Sequence, residues 1–258
     1  MSAITVHFLN AFTCNARVPA HWRTGALCLL VETRGGLVLV DTGIGREDYV
    51  RRPAILNAFR VLTHVPLDPE QAAIRQVARL GYAPTDVRHI VLTHMHFDHC
   101  GGLPDFPDAS VHVHRRELKA FYGRRSRWTD VGYVRRHVAH GPRFVPHEEA
   151  GDSWLGLPAV RLPFEPEMWL VPTFGHTRGH CAVAIAVDDG WLLHVGDAAT
   201  LNLDPVAPEW FTRLVLGPHQ PALREFRTAH SDVRVVTGHM WLDSFAESDA
   251  GQRRDERR

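Results

Sequence analysis

Residues 93–102 read THMHFDHCGG, which sets three histidines and an aspartate within the six positions from His94 to His99. The run that leads in, HIVLTH over 89–94, is a strand signal. Side chains alternate faces in an extended segment, so His94 and His96 can point the same way and share one metal ion. Asp98 and His99 follow where the chain turns toward a helix, which aims them at a second point nearby. Neutral imidazole and carboxylate together suit zinc or a similar first-row divalent ion. With 18 histidines and 17 aspartates in 258 residues, H-x-H-x-D-H is expected by chance only about 0.006 times in such a chain. A solvated, histidine-rich turn is therefore a poor explanation.

A metal site needs further ligands, and the chain supplies them in one recurring setting, the residue just beyond a strand. His176 follows MWLVPTFG, Asp197 follows WLLHVG, His239 follows VRVVTG, and Asp41 ends LVLVD. Loops at strand ends carry function over a rigid scaffold, so these side chains are expected to gather at one sheet edge. His94, His96, Asp98, His99, His176, Asp197 and His239 make seven candidate ligands. That number is excessive for one ion and sufficient for two.

Two hairpins frame these strands: ALCLLVETRGGLVLVDTG turns at Arg34-Gly35-Gly36, and CAVAIAVDDGWLLHVGD turns at Asp188-Asp189-Gly190. SVHVH (110–114), MWLVPTF (168–174) and VRVVTG (233–238) read as further strands. DPEQAAIRQVARLGY predicts a helix with Asp68 as N-cap, Pro69 in first position and Gly81 closing it; GPHQPALREFRTAH predicts another. Strand-rich stretches thus lie on each side of a less regular middle, as in two sheets packed face to face with helices outside. We expect one domain over 1–246 with a substrate lid at about 120–160, and a charged, disordered tail at 247–258.

Composition narrows the function. Hydrophobic residues make up 45% of the chain, enough for a real core, and Lys+Arg and Asp+Glu balance at 29 each. No global field would hold the protein on a polyanion, so nucleic acid is not an expected partner. The start carries no basic segment followed by a long apolar run, and no apolar stretch approaches membrane-spanning length, which leads us to expect a soluble cytoplasmic protein without a membrane partner. Cys14, Cys28, Cys100 and Cys181 show no CxxC pairing and are expected as reduced, small hydrophobes.

LVLVDTG (37–43), THMHFDH (93–99), GHTRGH (175–180), GDA (196–198) and GH (238–239) stand in an order, spread over most of the chain, that resembles the metallo-β-lactamase superfamily. The resemblance implies an α+β fold, a four-layer αβ/βα sandwich. It implies that His94, His96 and His176 hold one metal ion, that Asp98, His99 and His239 hold a second, and that Asp197 bridges them. Asp41 would orient the site from behind, and His180 would stay outside the ligand set. The implied cofactor is a pair of divalent ions, zinc foremost, with manganese, cobalt or iron as alternatives. A metal-bridging hydroxide would open a lactone, ester or thioester, with Asp98 handling the proton.

Within the superfamily the chain is most similar to the N-acyl homoserine lactonase branch, which implies a small-molecule acyl substrate and a monomer or homodimer. That branch usually carries a tyrosine three residues beyond the bridging aspartate, against the substrate carbonyl. Thr200 stands there in this chain. Either another residue such as Tyr122 or Tyr133 substitutes, or the substrate differs. Trp128, Tyr133, Phe144 and Trp154 are candidates for an apolar acyl pocket, or for a small satellite core. Two alternatives share the motif: a thioesterase like glyoxalase II, and an oxidoreductase like the persulfide dioxygenases, which use a single iron.

Overall fold

The computed structural model describes residues 4–16, 22–66, 68–199, 203 and 208–244. Thr200 and the 247–258 tail lie outside the described residues. The amino-terminal half builds a mixed sheet from β1 (Val6–Ala16), β2 (Trp22–Thr33), β3 (Gly36–Val40), β4 (Val87–Val91), β5 (Ser110–His114) and β6 (Arg143–His147), in that spatial order. β1, β2 and β3 are antiparallel neighbours, and β3 through β6 run parallel. After a small hairpin of β7 (Ser153–Trp154) and β8 (Leu157–Pro158) comes the second sheet. It consists of β9 (Val160–Leu162), β10 (Met168–Pro172), β11 (Cys181–Val187), β12 (Gly190–His194) and β13 (Val233–Val236), with β12 and β13 parallel. The last strand, β14 (His239–Trp241), crosses back and pairs with β2.

Both expected hairpins form, Thr33 pairing with Gly36 and Val187 with Gly190. The near-continuous apolar run of β2 reflects burial on both faces. Leu27, Leu29 and Val31 point into the core between the sheets, against Leu170, Val183 and Ile185. Cys28 and Leu30 point to the other face, against α2 (Ala54–Thr63) and α3 (Ala73–Arg79), which follow the single turn of α1 (Arg46–Val50). The outer face of the second sheet has its own core, where Val171, Ala184 and Leu193 meet Leu223 of α7 (Gln220–Ala229). Helix, sheet, sheet, helix is the four-layer order expected from the sequence.

Two helices depart from expectation in detail. The stretch from Asp68 is broken: Asp68 does cap Glu70 (3.0 Å), but a single 3-10 turn ends at Gln71, Ala72 is extended, and α3 begins only at Ala73. Burying Ala72 and Ala73 against β1 takes precedence over helical continuity. The later helix forms as α7 (Gln220–Ala229), after α6 (Glu209–Leu216), with α4 (Phe97–Cys100) and α5 (Arg115–Tyr122) completing the set.

The 120–160 stretch is more regular than its composition suggested. It includes the end of α5, two 3-10 turns, the edge strand β6 and the β7–β8 hairpin. Buried polar contacts hold it: Asp130 takes Arg178 at 2.9 Å, and buried Asp48 takes both Arg136 and His137. Among the described residues, no helix is long and apolar enough to cross a membrane.

Candidate metal centre

β3, β4, β10, β12 and β13 all end at the same edge of the sandwich, which follows from the parallel pairings within each sheet and the antiparallel steps from β10 through β11 to β12. Backbone bonds lock the loops there, including Cys181 N–H to Thr93 O (2.9 Å) between the sheets and Gly238 N–H to Gly196 O (2.8 Å) within one. All seven candidate ligands meet at this edge. Their donor atoms form three overlapping groups, each within 4.8 Å: His94 with His96 and His176, His94 with His99 and Asp197, and Asp98 with His99 and His239. Asp197 lies between the outer two, 3.4 Å from His99 Nε2, 3.5 Å from His176 Nε2 and 3.6 Å from His239 Nε2.

Hydrogen bonds on the far side of the His94, His99 and His176 rings aim their lone pairs inward. Asp41 accepts from the Thr93 backbone N–H, from the Thr93 hydroxyl and from His99 Nδ1–H, all at 2.8 Å. With its own proton given to Asp41, the Thr93 hydroxyl is the acceptor for His94 Nδ1–H at 3.0 Å. His176 Nδ1–H donates to the carbonyl of Val215 at the end of α6, 2.7 Å away. In each case Nε2 is left as an acceptor facing the centre. His96 differs in presenting Nδ1, 3.0 Å from His176 Nε2. That separation is close to the roughly 3.3 Å between two imidazoles on one tetrahedral ion.

His180 is excluded from the ligand set by its own bonds. Its Nε2 accepts the Asp197 backbone N–H at 3.0 Å, so Nδ1 carries the proton and donates to Thr173 Oγ1 at 2.8 Å. It positions Asp197. The approach requires glycine at 196, where a Cβ would come within 2.7 Å of His180 Nε2, and at 238, where one would come within 2.6 Å of Asp197 Oδ1.

The electrostatics fit a cation. Burial, reinforced by the neighbouring imidazoles, holds His94 well below its ordinary pKa and His96 down at about 3, so both are neutral. Burial alone would also lower His99 and His239, but the carboxylates of Asp197 and Asp41, and of Asp197 and Asp98, overcome it and raise His239 to about 10. Burial would raise Asp197, which His239 and His99 instead hold well below the usual carboxylate range. The field that favours protons on two imidazoles favours divalent cations in their place. His94 Nε2, His99 Nε2 and Asp197 Oδ1 are buried without a protein hydrogen-bond partner, as unshared ligand atoms would be.

The candidate ligands His96, Asp98, His176, Asp197 and His239 floor a cavity of about 380 Å³ whose walls are apolar, with Ile55, Phe59, Phe97, Trp128, Val131 and Phe211 prominent. Of the aromatic residues expected to line it, only Trp128 does. Trp154 sits in the outer core of the second sheet against Trp191 and Phe226, and Phe144 packs behind the first sheet. Tyr133 is buried with its ring on His96 (5.2 Å) and its hydroxyl donating to Glu117 (3.1 Å); Tyr122 is half exposed on α5. Neither tyrosine presents a hydroxyl to the cavity in place of the one absent at position 200.

Glu117 was not visible from the sequence. It is fully buried on α5 and accepts from Met95 N–H (2.9 Å), Gly179 N–H (3.1 Å), the Thr177 hydroxyl (2.7 Å) and Tyr133, tying the His94–His99 loop to the His176–His180 loop. His112 and His114, on β5, lie between the sheets, His112 in a chain with His89 (3.1 Å) and His147 (2.9 Å). The four cysteines are buried free thiols.

Comparison with known proteins bears on this site. The sequence model of the family described as the metallo-beta-lactamase superfamily matches residues 22–239. A protein of Mycobacterium tuberculosis named a probable metallo-hydrolase is 42% identical over 200 residues, 76% of this chain and 62% of the relative. The chain thus spans less than two thirds of that relative's length. An N-acyl homoserine lactonase of a Bacillus species is 36% identical over 165 residues, 62% of this chain and 58% of its own. A solved N-acyl homoserine lactone hydrolase, with its product N-hexanoyl-L-homoserine at the catalytic metal centre, superposes with a TM-score of 0.69 at 23% identity, covering 96% of this chain and 97% of that one.

Proposed function

The chain belongs to the metallo-beta-lactamase superfamily, and from that premise we infer that it is a two-metal hydrolase that opens a lactone, ester or thioester of a small acyl compound. The observation that supports this is the cluster under the apolar cavity, where seven buried or half-buried residues form three overlapping groups of donor atoms and five of the seven line the cavity. His94, His96 and His176 would hold one ion; Asp98, His99 and His239 the other; Asp197 would reach both. Divalent ions there would supply a water acidic enough to act as nucleophile and Lewis acidity toward an acyl carbonyl.

The protein's own groups do the rest. Asp41, Thr93 and the Val215 carbonyl fix imidazole tautomers, so ligand lone pairs are aimed before substrate arrives. Asp98, held ionised against burial by His239, faces the cavity and is the acceptor for a proton released there. Trp128, Val131, Phe59 and Phe211 exclude water and give an acyl chain an apolar surface. The Trp128–Gly132 turn is the part of the 120–160 stretch that borders the substrate. The lactonases among the chain's relatives make an acyl lactone the leading substrate within this class.

Elemental analysis of protein purified without added metal, with a panel of small lactones and thioesters, tests the reading. About two zinc, manganese or cobalt ions per chain with ester-type turnover is the expected result. One iron per chain with oxygen uptake on a persulfide would overturn it.

A further inference from the structure

Between α5 and the 124–127 and 174–178 segments lies a recess of about 500 Å³ walled by Arg116, Lys119, Arg124, Arg127 and Arg178. No carboxylate is among its lining residues. It is a different site from the metal cavity. The backbone at Arg127-Trp128 and Gly175-His176 separates the two, one residue of each pair facing one side.

Elsewhere on the surface several arginines are paired, Arg51 with Glu47, Arg75 and Arg79 with Glu70, Arg115 with Glu148 and Arg161 with Glu167; exposed Arg34, Arg60 and Arg88 stand singly, whereas the recess gathers its cations. In a chain whose formal charge is zero, five cationic side chains and no carboxylate lining one concavity are a segregation of charge rather than a solvated face. Among the described residues Lys119 and Arg124 have no acidic partner. Arg116 stacks on Phe174, 4.0 Å from the ring centre, and with His114, 3.0 Å away, its charge helps to hold Glu149 below the usual carboxylate range. Arg127 reaches only the Gly175 carbonyl (3.3 Å).

The fifth cation builds the wall. Arg178 holds Asp130 at 2.9 and 3.0 Å and Ser126 Oγ at 2.6 Å. Asp130 in turn accepts from the backbone N–H groups of Ser126 and Arg127 (2.7 and 2.8 Å), which fixes the segment that carries Arg124 and Arg127. Asp130 is thereby fully engaged, and Glu117 is buried behind the wall with four donors of its own.

Like charges held together repel, and a multiply charged anion among them relieves the repulsion. Planar guanidinium groups match phosphate oxygens two at a time, and a recess of this size exceeds what a single inorganic ion fills. We propose that the recess binds a small phosphorylated molecule carrying two or more phosphate charges. The ligand is either a separate molecule or the far end of a substrate whose acyl bond lies over the metal floor.

The test uses the metal-loaded protein, titrated calorimetrically with inorganic pyrophosphate at low and physiological salt, beside Lys119→Ala/Arg124→Ala. Both residues are exposed, so the variant folds. Binding is expected to weaken about tenfold or more in the variant and to fall with salt in the parent, while hydrolysis of a small uncharged ester stays unchanged. Equal pyrophosphate affinity in the two proteins would overturn the proposal, since binding at metal ions does not need these cations. A thioester with a terminal diphosphate separates the sources. A selective loss of kcat/KM on it in the variant makes the ligand the substrate's own tail; unchanged turnover with lost pyrophosphate binding makes it a separate molecule. The calorimetric arm reads independently of any turnover.

Discussion

Replacing Glu117 isolates what holds the two ligand loops together. Its carboxylate accepts two backbone N–H groups, Met95 and Gly179, and two hydroxyls, Tyr133 and Thr177. In Glu117→Gln one oxygen becomes an amide NH₂. The hydroxyl on that side can rotate to accept from it, but the backbone N–H there cannot turn away. One buried donor is left unpaired, which costs about 1–3 kcal/mol. In Glu117→Ala both backbone donors are orphaned and a void opens, for about 3–6 kcal/mol. Against a total stability of about 5–15 kcal/mol, the glutamine variant folds and is the informative one. Met95 lies between His94 and His96, and Thr177 and Gly179 flank the step from His176 to His180, so a loosened anchor also misaims ligands. Metal affinity is expected to fall about tenfold or more, the effect typical of an outer hydrogen-bond partner. Urea denaturation gives the first number and competition with a chromophoric chelator the second. A glutamine variant matching the parent in both would refute the argument that this carboxylate organises the centre.

Asp197→Ala removes the group proposed to reach both ligand sets; turnover should vanish and metal content should drop from the proposed two ions per chain to one or none, read by elemental analysis. Gly238→Ala places a Cβ within 2.6 Å of Asp197 Oδ1 and 2.9 Å of the Gly196 carbonyl carbon, so kcat should fall at least about tenfold and the thermal midpoint should fall with it; unaltered kcat would show that Asp197 tolerates displacement. Burial, with His147 and His89 beside it, depresses His112 to about 3, against an ordinary histidine value of about 6.5. Between those values the unfolded chain binds the extra proton, so His112 contributes stability that is intact above about pH 6.5 and is lost as pH falls toward 3, at up to about 1.4 kcal/mol per pH unit. Denaturant midpoints from pH 7 to 4 should fall less steeply in His112→Leu; parallel slopes would remove His112 from the acid response.

The candidate ligands were legible because their signal is local. H-x-H-x-D-H compresses four donors into six positions, and the others each sit one or two residues past an apolar run, where a strand must end. The supports were illegible for the opposite reason. Glu117 lies in RRELKAFY, a short helix whose charged residues read as solvent-facing, and only the docking of α5 under both loops turns one of them inward. Long-range packing likewise decides which aromatic residues border the cavity and which form a core, a choice the sequence left open. Trp128 and Trp154 are both isolated tryptophans in irregular sequence, yet the β7–β8 hairpin carries Trp154 to the outer core beside Trp191, while the Asp130–Arg178 pair holds Trp128 at the cavity mouth. Asp130 and Arg178 are 48 positions apart, and no pattern within either segment announces the other. A donor's identity is thus written where it stands, and its aim is written elsewhere in the chain. Substituting ligands tests only the first kind of information. Substituting Glu117 or Gly238 tests the second, because either change leaves every proposed ligand in place while shifting where it points.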